Sequence, residues 1–452
     1  MDLTVSPRAA EIAADVDTFV RERIEPAEAE ITRDYAAMRA RGENSFVVHP
    51  KIDELKAQAR EAGLWNLFLP AGEHGDEWAA RFGTRGGKGF SNVDYAAIAE
   101  KTGRTALAPL IFNCNAPDTG NMEVLLKYGT REQQEEWLVP LLEGKIRSAF
   151  LMTEPAVASS DATNMAARAE VDGDEIVING RKWWSSGAAH PDCKVFVFMG
   201  LTDPDAPRHA QHSMVLVPAD APGVTIERAL PVMGQLDEPL GHCEVSLENV
   251  RVPASNVLSG PGQAFAIAQG RLGPGRIHHC MRLIGLAEMA LERACRRGTE
   301  RVAFGKPLVQ LGGNRERIAK ARIDIDMARL LVQNAAAKLD AYGTEGARVD
   351  VSAIKAVVPQ IACDVIDFAI QIHGGYGYTR EFPVEQFYRD NRLNPTHEGT
   401  NGIQGLDLLG LQPLDHVGLA VHQRQHPRGG VADKAEGDAR HLRRAAEIAG
   451  KG

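Results

Sequence analysis

The chain has 452 residues, 44% hydrophobic and 25% charged, with a formal net charge of -9 and a pI near 5.9. That length exceeds one ordinary core and sets an expectation of two or three domains, while the acidic balance argues against a coat for nucleic acid or anionic membrane and leaves room for a local basic pocket. Six dispersed cysteines without a CxxC pair, no His/Cys spacing of a zinc site, no leader-like N-terminus and no run of ~18 apolar residues give the expectation of a cytoplasmic protein without a structural metal or membrane span.

Up to about Lys145 the apolar period is helical, with segments at Ile12 to Ile24, Ile52 to Ala62, Val93 to Lys101 and Thr119 to Leu142. Thr130 with Gln133 reads as a capping box before Trp137 and Leu138. The stretch EHGDEWAARFGTRGGKGFS superficially resembles a phosphate-cradling loop. Gly89 stands where the magnesium-holding hydroxyl would be and no strand precedes it, so it reads as a flexible surface loop. At Ser148 the period changes. Ala149 to Leu151 reads as a strand, Asp172-Gly173 and Asn179-Gly180 as hairpin turns, and VFVFMG, SMVLVPA, VTIERA and CEVSLENVRVP as further strands. These predict a small antiparallel barrel or sandwich without helices of its own.

After Gly262 a long helical segment, Phe265 to Arg301, carries an expected interruption at Pro274-Gly275. Two apolar stripes follow, Ile318-Ala321-Ile325-Ala328-Val332-Ala335-Leu339 and Ile354-Val357-Ile361-Val365-Phe368-Ile372, with an expected kink at Pro359, then a short helix at Val384 to Arg392. Stripes joined by short loops predict a four-helix bundle. The fold class is therefore α+β, with an N-terminal helical domain (1–147), a middle antiparallel β-barrel domain (148–258), a C-terminal four-helix bundle (259–410) and an atypical tail (411–452).

Several residues could carry chemistry. Glu398, between His397 and Gly399, is either a proton acceptor or an exposed loop glutamate. Thr153 offers a hydroxyl beside backbone amides, or caps a turn. Ser159 and Ser160 sit in a small-residue loop able to approach a pyrophosphate, or merely flexible. Trp184 could pack against a planar cofactor or belong to a core. The glycines of QIHGGYG follow a helix, which rules out a dinucleotide fingerprint. His278 and His279 are adjacent, face different ways on a helix and do not form a metal pair.

The segments FLMTEPAVASSDATN, NGRKWWSSGA, ERVAFGKPL, QIHGGYGY and HEGTNGIQ, in this order between helical, β and helical regions, resemble the acyl-CoA dehydrogenase family over roughly Ile12 to Gly410. The resemblance implies FAD-dependent dehydrogenation of an acyl-CoA thioester to a trans-2-enoyl-CoA, Glu398 taking the α-proton and a hydride passing to flavin N5. It implies FAD contacts from Thr153, Ser159 or Ser160, Trp184, Ser186 and Thr400, and, across a subunit boundary, from Arg301, Phe304, Gln371 and Gly375. Arg276 and the Glu398-Gly399 backbone would face the substrate, in a homodimer or homotetramer that passes electrons to an electron-transferring flavoprotein. FNCNAPDTGNMEVL and RLGPGRIHHCMRLIG are similar to the branch for long or branched acyl chains, whose base is often aspartate. The alternatives are an acyl-CoA oxidase or flavin monooxygenase of the same fold, or a non-catalytic scaffold.

Overall fold

The computed structural model describes residues 2–411, so residues 412–452 of the expected tail, with the weak helical suggestion at 435–449, lie outside it. Ser6 opens α1 (Pro7–Phe19) by accepting the Ala9 N–H, with Pro7 in the first turn where its missing N–H costs nothing. The helix continues through a wide turn (Val20–Ile24) into α2 (Glu25–Ala40), well past the segment read from periodicity. α3 (Pro50–Glu61) follows. Contrary to the expected flexible surface loop, the next stretch contains α4 (Glu73–Arg81), anchored by buried Trp78 stacked on Phe82 at 5.9 Å. The glycines on either side masked that anchor. α5 (Asn92–Thr102), α6 (Ala108–Ile111) and α7 (Asp118–Tyr128) precede α8 (131–142), which Thr130 and Gln133 open through the expected capping box.

Seven strands follow: β1 (Arg147–Leu151), β2 (Arg168–Asp172), β3 (Glu175–Ser186), β4 (Cys193–Leu201), β5 (His212–Pro218), β6 (Val224–Ala229) and β7 (His242–Pro253). Their order is β1-β4-β2-β3-β7-β6, with β5 on β4, around a core of Phe196, Phe198, Val215, Val217, Val245 and Leu247. The pairing is mostly antiparallel, but β1 runs parallel to β4. Asp172-Gly173 turns β2 into β3 as expected. Asn179-Gly180 does not turn: it lies within β3, where a Cβ on Gly180 would come 2.4 Å from the Ala167 Cβ. Glycine is needed there for close approach of a neighbouring chain segment.

α9 (Ala264–Glu300) runs unbroken through Pro274, contrary to the expected interruption. The hydrogen bond that proline forfeits is offset by burial of Ile277, Cys280, Met281 and Ile284 along the rest of the helix. After the short hairpin β8 (Val302–Ala303) and β9 (Lys306–Pro307), Gly312–His373 forms two helices, α10 (312–342) and α11 (344–373), joined at Gly343 with φ 69°. Along α11 the apolar stripe steps by four from Ile354 to Val358 and Ala362. Val357, read as core, is therefore 44% exposed. α12 (Val384–Arg392) and α13 (Asn401–Leu411) complete the described chain.

The helical regions meet backbone to backbone. A Cβ on Gly103, at the end of α5, would sit 1.8 Å from the Arg282 carbonyl oxygen of α9, and one on Gly285 would sit 1.8 Å from that of Glu100. Gly285→Ala is expected to destabilise the protein by about 1–3 kcal/mol through overpacking, seen as an earlier thermal melt. A melt equal to wild type would show that the two helices can part without cost.

Candidate active site

The loop 393–400 joins α12 to α13, and its path is fixed by buried donors. Lys355, fully buried on α11, donates from Nζ to the Asn394 oxygen at 2.6 Å and to that of Gly399 at 3.3 Å. Arg276 Nε of α9 donates to the Glu398 oxygen at 2.8 Å, and Gln404 Nε2 of α13 to the same oxygen at 3.4 Å. Glu398 holds φ 53° and Gly399 φ 101°. A non-glycine residue in the left-handed region is uncommon and persists where its surroundings enforce it. Glycine suits position 399 because a side chain is strained at that φ, and a Cβ there would also press on Gln404 Nε2 at 2.1 Å. Among the described residues the Glu398 N–H donates to nothing in the chain.

This geometry sends the Glu398 side chain, 11% exposed, against α9. Oε1 lies 3.6 Å from Arg271 Nη1, and Oε2, buried and without a hydrogen-bond partner among the described residues, lies 3.8 Å from His279 Nε2. The space exists because residue 275 is glycine: a Cβ there would be 2.9 and 3.0 Å from the two oxygens. Arg271 is itself built in. Its guanidinium lies 4.1 Å over the Phe150 ring of β1, and Nε donates to Asn121 Oδ1 at 3.2 Å. Asn121 donates to Ser148 Oγ at 2.9 Å, Ser148 donates from both N and Oγ to Asp118 Oδ1, and Asp118 pairs with buried Arg147.

Two imidazoles flank the carboxylate, His279 and His397, with ring centroids 4.4 Å apart. Burial drives both below the usual histidine range, His397 to about 4, so both are neutral at pH 7. Arg282 donates to His279 Nδ1 at 3.3 Å, which leaves the proton on the Nε2 that faces Glu398. His279, His397 and Glu398 bring potential metal-ligand atoms within 4.8 Å, a grouping adjacency in sequence had hidden. The Arg271 guanidinium, beside the same carboxylate, supplies the positive charge here, and the set suits a proton acceptor. His278 turns the other way, toward Tyr95 and Glu123. Burial pushes the Glu123 carboxyl up to about 8, with Arg271 lowering it and Glu398 raising it.

The residues expected to meet a cofactor fall into two groups. On the β-domain edge, the Thr153 oxygen accepts the Trp183 N–H at 3.0 Å, Trp184 is 41% exposed at a bulge with φ 55°, and Ser186 Oγ bonds His242 Nδ1 at 2.7 Å. Ser159 Oγ accepts the Glu154 N–H at 3.0 Å and so ties its own loop, whereas Ser160 is exposed. A half-open tryptophan face among hydroxyls fits a planar ring with polar edges. Phe150, three residues before Thr153, touches Arg271 and so connects this edge to Glu398. The second group, Arg301, Phe304, Gln371 and Gly375, is exposed, with Phe304 at 92% and φ 53°. Among the described residues no hydrogen bond or ion pair joins this group to the Glu398 loop. Thr400 Oγ1 accepts the Ile403 N–H at 3.3 Å and starts α13. Arg271, Glu123, Asn121 and Lys355 were not singled out in the sequence, and His279 was considered only against His278; their partners are far away in the chain.

Comparison with known proteins supplies three consecutive family matches: acyl-CoA dehydrogenase N-terminal domain over residues 6–145, middle domain over 149–250 and C-terminal domain over 262–409. "Probable acyl-CoA dehydrogenase FadE2" of Mycobacterium tuberculosis is 49% identical over 404 residues, 89% of this chain and 95% of its own. "Acyl-CoA dehydrogenase family member 11" of Gallus gallus is 50% identical over 400 residues, 88% of this chain and 49% of its own, so this chain spans about half of that relative. The solved "Structure of a putative acyl-CoA dehydrogenase from Mycobacterium abscessus" has a TM-score of 0.85 at 56% identity, covering 90% of this chain and 98% of its own.

The raised Glu123 carboxyl sets a stability trend. Unfolded, the group titrates near 4.5, and folded near 8, so the folded state keeps a proton that the unfolded chain releases between those values. Stability therefore declines as pH rises through that window. Glu123→Gln is expected to melt later than wild type at pH 8.5, by roughly 1–4 kcal/mol at about 1.4 kcal/mol per pKa unit, and to lose most of that advantage at pH 4.5. An equal difference at both pH values would show that Glu123 titrates normally.

Proposed function

The chain belongs to the acyl-CoA dehydrogenase family, and from that membership we propose that it dehydrogenates an acyl-CoA thioester to a trans-2-enoyl-CoA with FAD, Glu398 taking the α-proton. The observation that carries the reading is the Glu398 carboxylate: nearly enclosed, with one oxygen lacking a hydrogen-bond partner among the described residues, beside a helix that leaves room for it. An unsatisfied buried acceptor is costly and calls for a functional reason. Abstraction of a weakly acidic α-hydrogen supplies one.

The chain's own groups divide the work. Arg271 orients the carboxylate from one side and His279 bounds it on the other. Lys355, Arg276 and Gln404 hold the loop carbonyls. The Glu398 N–H, left without an intramolecular acceptor by its positive φ, is available to the thioester oxygen, where negative charge develops as the proton leaves. Thr153, Trp184 and Ser186 would hold the cofactor ring and Thr400 its neighbourhood, with Ser160 the more accessible of the two serines. The exposed Arg301, Phe304, Gln371 and Gly375 suit the phosphates and adenosine of a second copy's cofactor, in a homodimer or homotetramer; the guanidinium fork matches phosphate. When bound, FAD supplies the acceptor for the β-hydride, and its electrons leave to an electron-transferring flavoprotein.

Anaerobic titration with a panel of acyl-CoAs tests the proposal. Wild type is expected to bleach with at least one member, and Glu398→Gln to bind FAD yet reduce at least about 100-fold more slowly. Reduction of the variant at the wild-type rate would place the base elsewhere, and rapid reoxidation of the reduced enzyme by air would favour an oxidase. Gly275→Ala, which crowds both carboxylate oxygens, is expected to keep FAD and lose turnover by about tenfold or more. Unchanged turnover would show that the carboxylate does not need the gap.

A further inference from the structure

Antiparallel pairing of β3 with β7 sets Ser186 opposite His242, and the two side chains meet, Oγ to Nδ1, at 2.7 Å. The other ring nitrogen, Nε2, lies 3.3 Å from Asp237 Oδ2. Asp237 belongs to the connection between β6 and β7 and holds φ 59°. That connection is secured at two points just after Asp237: Glu238 pairs with Arg39 at 2.6 Å and accepts Ser45 Oγ at 2.9 Å, and the Gly241 oxygen accepts the Gly187 N–H at 2.9 Å. The His242 side chain is nearly buried and that of Asp237 is 49% exposed, so the three residues run from the β-domain edge to solvent. Trp184, two residues before Ser186, has its ring centroid 6.1 Å from that of His242. Burial, and then the charge of Asp237, push the carboxyl of Asp390 on α12 up to about 8.

The donor inventory orders this row. The Asp237 carboxylate, 3.3 Å from Nε2, favours electrostatically the tautomer with its proton on Nε2, so Nδ1 becomes an acceptor and the Ser186 hydroxyl donates to it. The Ser186 oxygen then turns lone pairs, not a hydrogen, toward the space beside Trp184. A group there that must lose a proton can give it to the Ser186 oxygen as the serine's own proton passes to Nδ1 and the Nε2 proton to Asp237, from which water takes it. One proton enters and one leaves, and no protein atom changes oxidation state. The orientation is opposite to that of the hydrolytic triad, where serine meets Nε2 and the acid meets Nδ1.

We propose that Ser186, His242 and Asp237 form a proton relay that would carry to solvent the one proton released at the cofactor edge on reoxidation, the two electrons going singly to two equivalents of a one-electron acceptor. The proposal rests on the FAD reading above. Asp237 and His242 act through Ser186 and are positioning residues.

Two measurements on Asp237→Asn and His242→Gln test it. The first needs the chain alone: 15N spectra of labelled histidine are expected to show His242 with its proton on Nε2 in wild type and a mixture of tautomers in Asp237→Asn. In the second, the FAD-loaded enzyme is reduced with dithionite and mixed with ferrocenium in H2O and D2O. Wild-type reoxidation is expected to be slower in D2O. Both variants are expected to keep bound FAD, to be reduced by acyl-CoA at the wild-type rate and to reoxidise about tenfold or more slowly, within the range of general acid–base assistance. Reoxidation of both variants at the wild-type rate, or an unchanged tautomer in Asp237→Asn, overturns the relay. If no acyl-CoA reduces the wild type but the dithionite experiment gives the expected pattern, the relay stands and the dehydrogenase reading falls.

Discussion

A carboxylate and a guanidinium held side by side out of water, Glu398 and Arg271, set the terms for the rest of this structure. Removing two charges from water is expensive, and their mutual attraction repays it only when the geometry and the surrounding hydrogen bonds are good. The surroundings are provided by residues from three parts of the chain. Arg271 on α9 leans on Asn121 of α7, which leans on Ser148 of β1, which leans on Asp118 and its buried partner Arg147. The interface between the helical and β regions is thus wired through polar groups to the Glu398 carboxylate, and apolar packing alone would not specify that register.

The loop that presents Glu398 is equally over-determined. Two consecutive residues with positive φ would be a liability in an untethered loop. Here one buried lysine, one arginine and one glutamine take up the carbonyls on either side. The strain and the tethering serve the same end, because they leave the Glu398 amide pointing away from the chain. α9 contributes by carrying a glycine, Gly275, between Arg271 and His279 where it passes the carboxylate, and it remains a helix through Pro274 because its other faces are buried.

Much of this was legible in the sequence, for identifiable reasons. Helices with a regular apolar period and a capping box at Thr130 announced themselves through local rules, and strands separated by Asp172-Gly173 did likewise. Misreadings arose where a non-local contact overrode a local signal. Gly180 serves a close approach to Ala167, not a turn. Trp78 folds a glycine-flanked stretch into α4, and Val358 displaces Val357 from the core by a single helical step. The same distinction runs through the site. Glu398 stood out because its motif is contiguous, whereas Arg271, Asn121 and Glu123 become meaningful only once the fold gathers them. His278 and His279 do face different ways, as adjacency requires, but only the fold could show that His279 meets His397 and Glu398.

The gap at Gly275 also reaches beyond the residue that occupies it. Residues 275 and 398 divide one fixed volume between a helix and a loop, and the length of the acid determines how much of it remains. A glutamate spends that volume on its second methylene, which carries the carboxylate up to the helix backbone. An aspartate on the same loop would stop one carbon short, leaving space that a small side chain on α9 could fill. The choice of acid in this fold is therefore a choice made jointly by two positions 123 residues apart in sequence, and exchanging one alone alters the reach of the carboxylate as well as its chemistry.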